Sequence, residues 1–259
     1  EWLLQLLDQT ITDERTKELI YHQLGIFIKV KISEPLYSIS YLRGHSFPIF
    51  FHKNTLPKKI TPQQILQNNL PTPVSLTHRD KLQLIDSAKM TLFHLYSETE
   101  PFMNANENDI TLFSLEKGIS IALFGSKVEK RYSLESYIGY LVLKNNIPVA
   151  YGGGWMFGER CQFGINILEA FRGGESGLIF SELLRVYHQY YGATIFVIKP
   201  YQFGLNNSDG LKAGAFWFYY NLGFRPEKNL LRKLASVESG KKLENKSYKS
   251  DLATLKKFT

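Results

Sequence analysis

A glycine-rich segment in the middle of the chain has the residue types of an anion-binding turn. Arg172, Gly173, Gly174 and Gly177 stand in the sequence FRGGESG, between a strand-like run and an amphipathic helical pattern. The first N–H groups of a helix have no partners inside the helix, and with the helix dipole they attract anions. Glycines allow a pyrophosphate to approach the backbone closely, and Arg172 adds a positive charge. The spacing is neither a Walker loop nor a dinucleotide-binding fingerprint, and an ordinary capping turn explains it equally well.

The patterns around this turn predict the elements that must position it. An amphipathic helix in DKLQLIDSAKMTLFHLYSE precedes five short apolar runs, and LVLKNNIPVAY predicts a hairpin across Lys144–Asn146. After the turn, LIFSELLRVYHQYY predicts a helix that ends at Gly192, and TIFVIKP predicts a strand buried on both faces. A further helix in LKAGAFWFYYNLGFRP and a last strand follow. The predicted fold class is α/β (α+β), with a mixed, mostly antiparallel central sheet flanked by helices.

Three zones are predicted along the chain. Residues 1–75 form a partly helical N-terminal extension, with Leu-rich helical patterns up to Gly25, a strand in IFIKVKI and a short helix that begins at Pro62. Residues 76–230 form the main domain, and residues 231–259 form a basic helical tail. The chain begins at Glu1 rather than at a methionine, which is what a piece of a longer protein would show.

The positive charge of the chain is concentrated near its end. The net charge is +7, and residues 225–259 hold ten Lys/Arg against four acids. Such a segment can recruit an acidic protein, nucleic acid or an anionic membrane. The lysines lack interleaved aromatics and arginine clusters, which favours the alternative of a solvated helical face.

Composition excludes several classes of protein. Apolar residues make up 44% and charged residues 21%, as in ordinary globular chains and unlike disordered, collagen-like or coiled-coil chains. There is no apolar run of about 18 residues and no signal peptide pattern. Cys161 is the single cysteine, which excludes an internal disulfide and favours a cytoplasmic location. The histidines form no metal-like motif, so no metal is expected.

Two blocks of residues carry a family resemblance. In the glycine-rich segment Arg172 and Gly177 are five positions apart, and the helix near residue 220 contains an A-x-x-F-Y-x-x-x-G-F pattern. The residues of that second pattern are Ala215, Phe218, Tyr219, Gly223 and Phe224. With these blocks, residues 78–226 resemble the GNAT superfamily of N-acyltransferases, whose pyrophosphate loop reads Q/R-x-x-G-x-G/A. The resemblance implies a GNAT-like sheet and acetyl-CoA or another acyl-CoA as cosubstrate.

Glu175 departs from the loop pattern of this family. It stands where the family usually has glycine, and a carboxylate beside a bound pyrophosphate is repelled by it. Either Glu175 complements the dipole of the first helical turn while the glycines hold the phosphates, or the loop no longer binds coenzyme A. The sequence leaves both alternatives open.

The resemblance also implies a set of donor-site residues. Backbone groups of Ile167, Leu168 and Ala170 would hold the pantetheine arm and polarise the thioester carbonyl. The loop would hold the pyrophosphate, and Tyr219 would protonate the leaving thiolate. A core tyrosine on an aromatic helix face is the alternative for Tyr219. The loop residues implied are Arg172, Gly173, Gly174, Ser176 and Gly177.

The general base and the acceptor pocket have weaker candidates. Glu169 and Glu135 can act as bases if they are buried with raised pKa values, and surface acids are the alternative. YGGGW, from Tyr151 to Trp155, predicts a break in a strand by a bulge or a close backbone approach. Tyr151 and Trp155 are therefore candidates to line an acceptor pocket, with a plain turn as the alternative.

The expected function is transfer of an acyl group from acyl-CoA to a small-molecule or peptide amine by direct attack. Two alternatives remain. The same fold can use acyl-carrier protein or aminoacyl-tRNA as donor, since both are acidic and the basic tail suits them. A catalytically inactive GNAT-like binding or regulatory module is the other, because fold alone does not fix function. The acceptor and the oligomeric state are not encoded in any motif that we recognise.

Overall fold

The computed structural model of the chain describes residues 2–25, 47–53, 62–95 and 100–259. It contains two compact units, Glu1–Pro35 and Leu36–Thr259. The described part of the first unit consists of the two predicted helices, α1 (Trp2–Thr10) and α2 (Glu14–Leu24). The residue that caps α2 is Asp13, whose carboxylate accepts the N–H of Thr16 at 2.8 Å. The strand predicted in IFIKVKI lies outside the described residues.

A six-stranded sheet forms the centre of the second unit, and the strands lie side by side in chain order. The first five are antiparallel neighbours, and the sixth runs parallel to the fifth. The predicted mixed, mostly antiparallel sheet is therefore confirmed. The strands are β1 (Ala105–Ser114), β2 (Ile119–Ser126), β3 (Ser136–Lys144), β4 (Ile147–Phe157), β5 (Arg160–Ile167) and β6 (Ile195–Ile198).

Helices cover both faces of this sheet because strands β2 and β3 are apolar on both faces. Helix α6 packs on one face around the fully buried Tyr140 and Phe163, and α4 packs on the other around Leu112 and Phe124. The last helices form a third cluster around Phe216. The helices of the second unit are α3 (Pro62–Leu66), α4 (His78–His94), α5 (Glu100–Met103), α6 (Ser176–Tyr191), α7 (Ser208–Lys212), α8 (Ala215–Asn221), α9 (Asn229–Glu244) and α10 (Leu252–Lys256).

The predicted hairpin at Lys144–Asn146 is confirmed. Asn145 and Asn146 adopt left-handed backbone angles, with φ of 50° and 67°, as a two-residue turn between β3 and β4 requires. Their side chains have a second role. Each amide accepts from and donates to one backbone unit of the segment 47–50, at Phe47 and at Phe50, over 2.7–3.0 Å. The turn thus fixes this segment beside one end of the sheet.

Two strand predictions were wrong. TIFVIKP was expected to be buried on both faces, but β6 is an edge strand and Ile195 is 50% exposed. The predicted last strand is absent from the described residues after α8, because the chain turns at Gly223 with φ of 101° and enters α9. No strand of the described chain therefore covers the outer edge of β6.

The three glycines of YGGGW do not interrupt β4. The register runs without a shift through Gly152, Gly153 and Gly154, so the predicted strand break by a bulge is wrong. The alternative of a close approach is confirmed. A Cβ atom on Gly152 would lie 2.6 Å from the Tyr140 hydroxyl, which crosses over this glycine to donate to the Gly164 carbonyl at 2.6 Å. Because Gly152 has no side chain, the Tyr140 hydroxyl of β3 can pass over β4 and hydrogen-bond to β5.

We expect Gly152→Ala to destabilise the protein by about 1–3 kcal/mol, because the new methyl group overlaps the Tyr140 hydroxyl. Gly240→Ala in α9 is the matched control. A Cβ atom there meets nothing within 4 Å, so the same change should stabilise the helix by up to about 1 kcal/mol. Urea unfolding of the two variants measures both effects. Equal stability of Gly152→Ala and the unsubstituted protein would contradict this account of β4.

The basic C-terminal segment is folded onto the domain. The buried Glu238 of α9 accepts hydrogen bonds from Lys241 at 2.7 Å, Tyr248 at 2.8 Å and Ser250 at 2.6 Å. Lys242 lies over the Trp217 ring, 4.4 Å from its centroid. Lys241 and Lys242, two of the ten Lys/Arg of residues 225–259, therefore interact with groups of the protein itself.

Candidate functional site

A gap opens in the sheet where β5 and β6 separate. The two strands pair only from Arg160 opposite Ile195 to Phe163 opposite Ile198. Strand β5 then continues along β4 to Ile167, whereas the chain after β6 turns away in a 3₁₀ turn at Pro200–Phe203. The last four residues of β5 consequently have no strand on that side.

The backbone of β5 presents hydrogen-bonding groups to this gap. The Ile165 N–H donates to the Gln202 side-chain oxygen at 3.4 Å. N–H groups two residues apart in a strand point to the same edge, so Ile167 also faces the gap. The Leu168 N–H points the other way and bonds to Val149 at 2.9 Å. Of the backbone groups implied by the resemblance, Ile167 lies at the gap and Leu168 does not, while Ala170 lies in an exposed 3₁₀ turn.

Tyr219 lies beside the same gap. Its hydroxyl donates to the Gln202 oxygen at 3.3 Å, so one oxygen atom links the tyrosine to the Ile165 N–H. Its ring packs edge-on against aromatic neighbours such as Phe180 and Phe224. Burial raises the pKa of Tyr219 above its ordinary value, which keeps its proton in place at neutral pH. The aromatic packing expected of Tyr219 is therefore confirmed, and its chemical role stays a prediction.

Gln202 was missed by the sequence reasoning. It follows β6 in the 3₁₀ turn, and no pattern at its position indicates a function. Its amide oxygen is placed by tertiary structure alone, between a β5 amide and the α8 tyrosine. The alternation of backbone groups along β5 predicts which amides face the gap, but it does not predict that the Gln202 side chain accepts a hydrogen bond from one of them.

The glycine-rich turn forms the mouth of the gap. The Gly173 N–H donates to the Ser176 hydroxyl at 3.1 Å, and the Ser176 N–H returns to the Gly173 carbonyl at 2.8 Å. Gly173 has φ of 118°, which favours glycine. Arg172 is exposed, and its Nε donates to the Ile167 carbonyl at 3.1 Å. No hydrogen bond to a described residue satisfies the N–H groups of Gly174 and Gly177, as expected at the start of a helix.

Glu175 is paired within the protein. Its Oε1 lies 2.7 Å from Lys144 Nζ and 2.7 Å from His52 Nε2, and Lys144 also donates to the Lys117 carbonyl. Burial by itself would raise the pKa of Glu175. The hydrogen bonds from Lys144 and His52 outweigh burial and hold the pKa below its ordinary value. Lys144, at the end of β3, and His52 therefore compensate the negative charge of Glu175.

The two candidate bases lie in different places. Glu169 is exposed in the 3₁₀ turn that follows β5, close to the mouth of the gap. Glu135 is exposed just before β3. The register places the start of β3 across from Cys161, about 20 Å along β5 from Ile167. Neither carboxylate is buried, and the structure does not bring Glu135 to the gap.

The two candidate acceptor-site aromatics lie on the sheet face opposite α6. Tyr151 is opposite Asn166 of β5 and is partly buried against the α4 cluster. Trp155 lies nearer the other end of β4 and packs against Tyr132 and Tyr137, with ring centroids 5.4 and 4.8 Å away. Tyr151 therefore lies beside the end of β5 that borders the gap, and Trp155 lies at a distance from it.

Three further observations concern the whole described chain. Residues 2–25, 47–53, 62–95 and 100–259 contain no group of His, Cys, Asp and Glu side chains arranged to hold a metal ion. Within the same residues, no helix has both the length and the apolar character needed to span a membrane. Comparison with models of protein families, with curated proteins and with solved structures finds no significant match.

We expect the Glu175 pairing to stabilise the protein in a pH-dependent way. The pKa of Glu175 is lowered in the folded protein, so its contribution is present above the ordinary value of 4.5 and is lost as the pH falls through the folded value. Glu175→Gln should cost about 0.5–1 kcal/mol at pH 7, allowing for solvent screening, and less at about pH 3.5, because the contribution falls once the pH is below 4.5.

The measurement is urea unfolding at both pH values, with Glu169→Gln as the matched control. Glu169 is an exposed acid of the same loop with no pairing of its side chain to a described residue. Its substitution should change stability equally little at both pH values. A Glu175→Gln effect of the same size at pH 7 and pH 3.5 would show that the ion pair contributes nothing.

Proposed function

We propose that the protein is an N-acyltransferase that moves an acyl group from acyl-CoA to an amine. The observation that carries this proposal is the gap between β5 and β6, with the start of α6 at its mouth and the Tyr219 hydroxyl at its side. The GNAT resemblance of residues 78–226 supports it independently, because it assigns the donor to the same residues.

The gap suits the parts of an acyl-CoA molecule. Gln202 holds the Ile165 N–H and Arg172 holds the Ile167 C=O, which leaves the Ile165 C=O and the Ile167 N–H to hydrogen-bond the amide groups of a pantetheine arm, much as an added strand does. The free N–H groups at Gly174 and Gly177, with Arg172, suit the pyrophosphate. Because Glu175 is paired with Lys144 and His52, its charge would oppose the donor less than an unpaired carboxylate would.

The chemistry would use the same groups. The Ile167 N–H would polarise the thioester carbonyl as the amine attacks its carbon. As the C–N bond forms and the C–S bond breaks, Tyr219 would give its proton to the thiolate, and the amine proton would pass to water or to Glu169. Because burial raises the pKa of Tyr219, its hydroxyl is protonated when the thiolate appears.

Donor binding can be tested by calorimetric titration with acetyl-CoA and a longer acyl-CoA, which we expect to bind at about micromolar Kd. Gly174→Asp should weaken binding about tenfold, because it adds a carboxylate beside the pyrophosphate. Gly174→Asn is the matched control, with the same shape and no charge. A Cβ atom at Gly174 meets nothing within 4 Å, so both variants should fold.

Absence of binding would contradict the acyl-CoA proposal. It would favour an acidic macromolecular donor, acyl-carrier protein or aminoacyl-tRNA, which the ten Lys/Arg of residues 225–259 suit. Affinity for such a donor should fall steeply with salt, whereas affinity for CoA should change only mildly. Absence of binding to any of these donors would favour the binding-module alternative.

Tyr219→Phe tests the catalytic role. Loss of the hydroxyl should lower kcat about 100-fold and leave the Kd for acyl-CoA within about twofold, since phenylalanine keeps the ring packing. The assay measures release of free thiol with a panel of amines and peptides. Tyr220→Phe, one position along α8, is the control and should keep full activity. Unchanged kcat in Tyr219→Phe would show that the tyrosine serves packing alone.

A further inference from the structure

A groove of about 700 Å³ runs along the outer edge of β6. Strand β6 forms one wall, and the segment 224–232 with the end of the chain at Phe258 forms the other. The backbone edge of β6 that lines the groove is the one that faces away from the β5 ladder. Arg160 and Gln162 of β5 and Tyr219 of α8 also line the groove, so it reaches the tyrosine of the proposed donor site.

The edge of β6 in this groove has unpaired backbone groups. In β5 the backbone N–H and C=O groups of the odd-numbered residues point towards β6, as the Ile165 N–H shows. In a parallel ladder these groups bond to the residues on either side of the paired residue, so those of Cys161, which is paired with Phe196, bond to Ile195 and Val197. The N–H and C=O groups of Phe196 and Ile198 therefore point away from β5. No described backbone or side-chain group bonds to them. An exposed row of such groups is a template for another strand.

The charge of the groove is strongly positive. Arg160 of β5 and Lys199 after β6 lie on one side, and Arg225, Lys228 and Arg232 lie on the other wall, while Glu227 is the one acid among the described residues that line the groove. Arg225 and Arg232 each donate to backbone carbonyls of the segment 220–226, which fixes that wall. The guanidinium charges remain beside the groove.

The floor of the groove is aromatic. Phe203 and Phe216 pack together with centroids 5.9 Å apart, and Phe258 stacks on Phe216 at 3.8 Å. A strand lying along β6 would point alternate side chains towards this floor and the others towards the basic rim. The ligand that fits has a free backbone, apolar residues at every second position and acidic residues between them.

We propose that this groove binds an extended acidic peptide as a seventh strand of the sheet. Unpaired N–H and C=O groups recognise another peptide backbone, which a nucleic acid does not offer. A second copy of the chain is disfavoured, because a two-fold axis through the β6 edge would bring the basic residues of the two grooves close to one another.

The test uses an eight-residue fluorescent peptide of alternating Glu and Val and measures its binding by anisotropy at low salt. The expected result is saturable binding that is lost when proline replaces two central valines. Each proline removes a backbone N–H donor and leaves the charge of the peptide unchanged. Amide hydrogen exchange at Phe196 and Ile198 should slow at least tenfold in the complex.

Two charge-reversal variants locate the site. Lys199→Glu with Lys228→Glu should weaken peptide binding more than tenfold, because both lysines line the groove. Lys246→Glu with Lys249→Glu is the matched control on an exposed loop, and it should change the affinity less than twofold. Circular dichroism and the urea-unfolding midpoint of each variant report whether it has folded.

Several results would overturn the proposal. They are absence of binding, equal affinity for the proline-containing peptide, equal loss of affinity in the two double variants, or unchanged exchange at Phe196 and Ile198. A single-stranded oligonucleotide that binds tighter than the peptide would identify a nucleic-acid surface instead. Sedimentation showing a dimer that Lys199→Glu with Lys228→Glu abolishes would identify a contact between copies of the chain.

Discussion

The packing of Phe163 is the constraint on which the rest of the structure depends. Its ring stacks on Tyr140 of β3 at 5.4 Å, across β4, and meets Tyr187 of α6 edge-on at 4.8 Å, which fixes β5 against the sheet and the helix. Phe163 is also the last residue of β5 that pairs with β6. Because β5 is held to its own side of the sheet here, the turn after β6 separates the two strands instead of bending both. The gap, its unpaired β5 edge and the placement of Tyr219 all follow from that separation.

The loop before α6 is held in place by the ion pairs of Glu175 as well as by its glycines. Glu175 is held by Lys144 and His52, and Lys144 is itself anchored to the Lys117 carbonyl. The loop before α6 is therefore connected to the hairpin between β3 and β4 and to the segment that contains His52. A loop connected in this way presents its free N–H groups in one arrangement, which reduces the entropy that an anion must overcome on binding.

Much of the fold was predictable because its signals act within a few residues. Asn145–Asn146 specify the hairpin, Pro62 begins α3, and Gly192 ends α6 with φ of 73°. The role of the glycines in β4 was only half predictable. Sequence indicates that a backbone must pass closely there, but a bulge and a crossing tyrosine give the same pattern. The β6 run was misread for a related reason, since an apolar sequence does not tell whether the next strand exists.

The sequence by itself determined the class of fold, the order of the main elements up to α8 and the presence of a glycine-rich turn at the start of a helix. It also singled out Tyr219, because a local aromatic block can be matched without knowing what surrounds it. Only the tertiary structure decided that Glu175 meets His52, which is 123 positions away, and that Gln202 links Ile165 to Tyr219. The physical reason is that backbone signals act over one or two turns, whereas charges and hydrogen bonds act between whatever surfaces the packing of the core brings together.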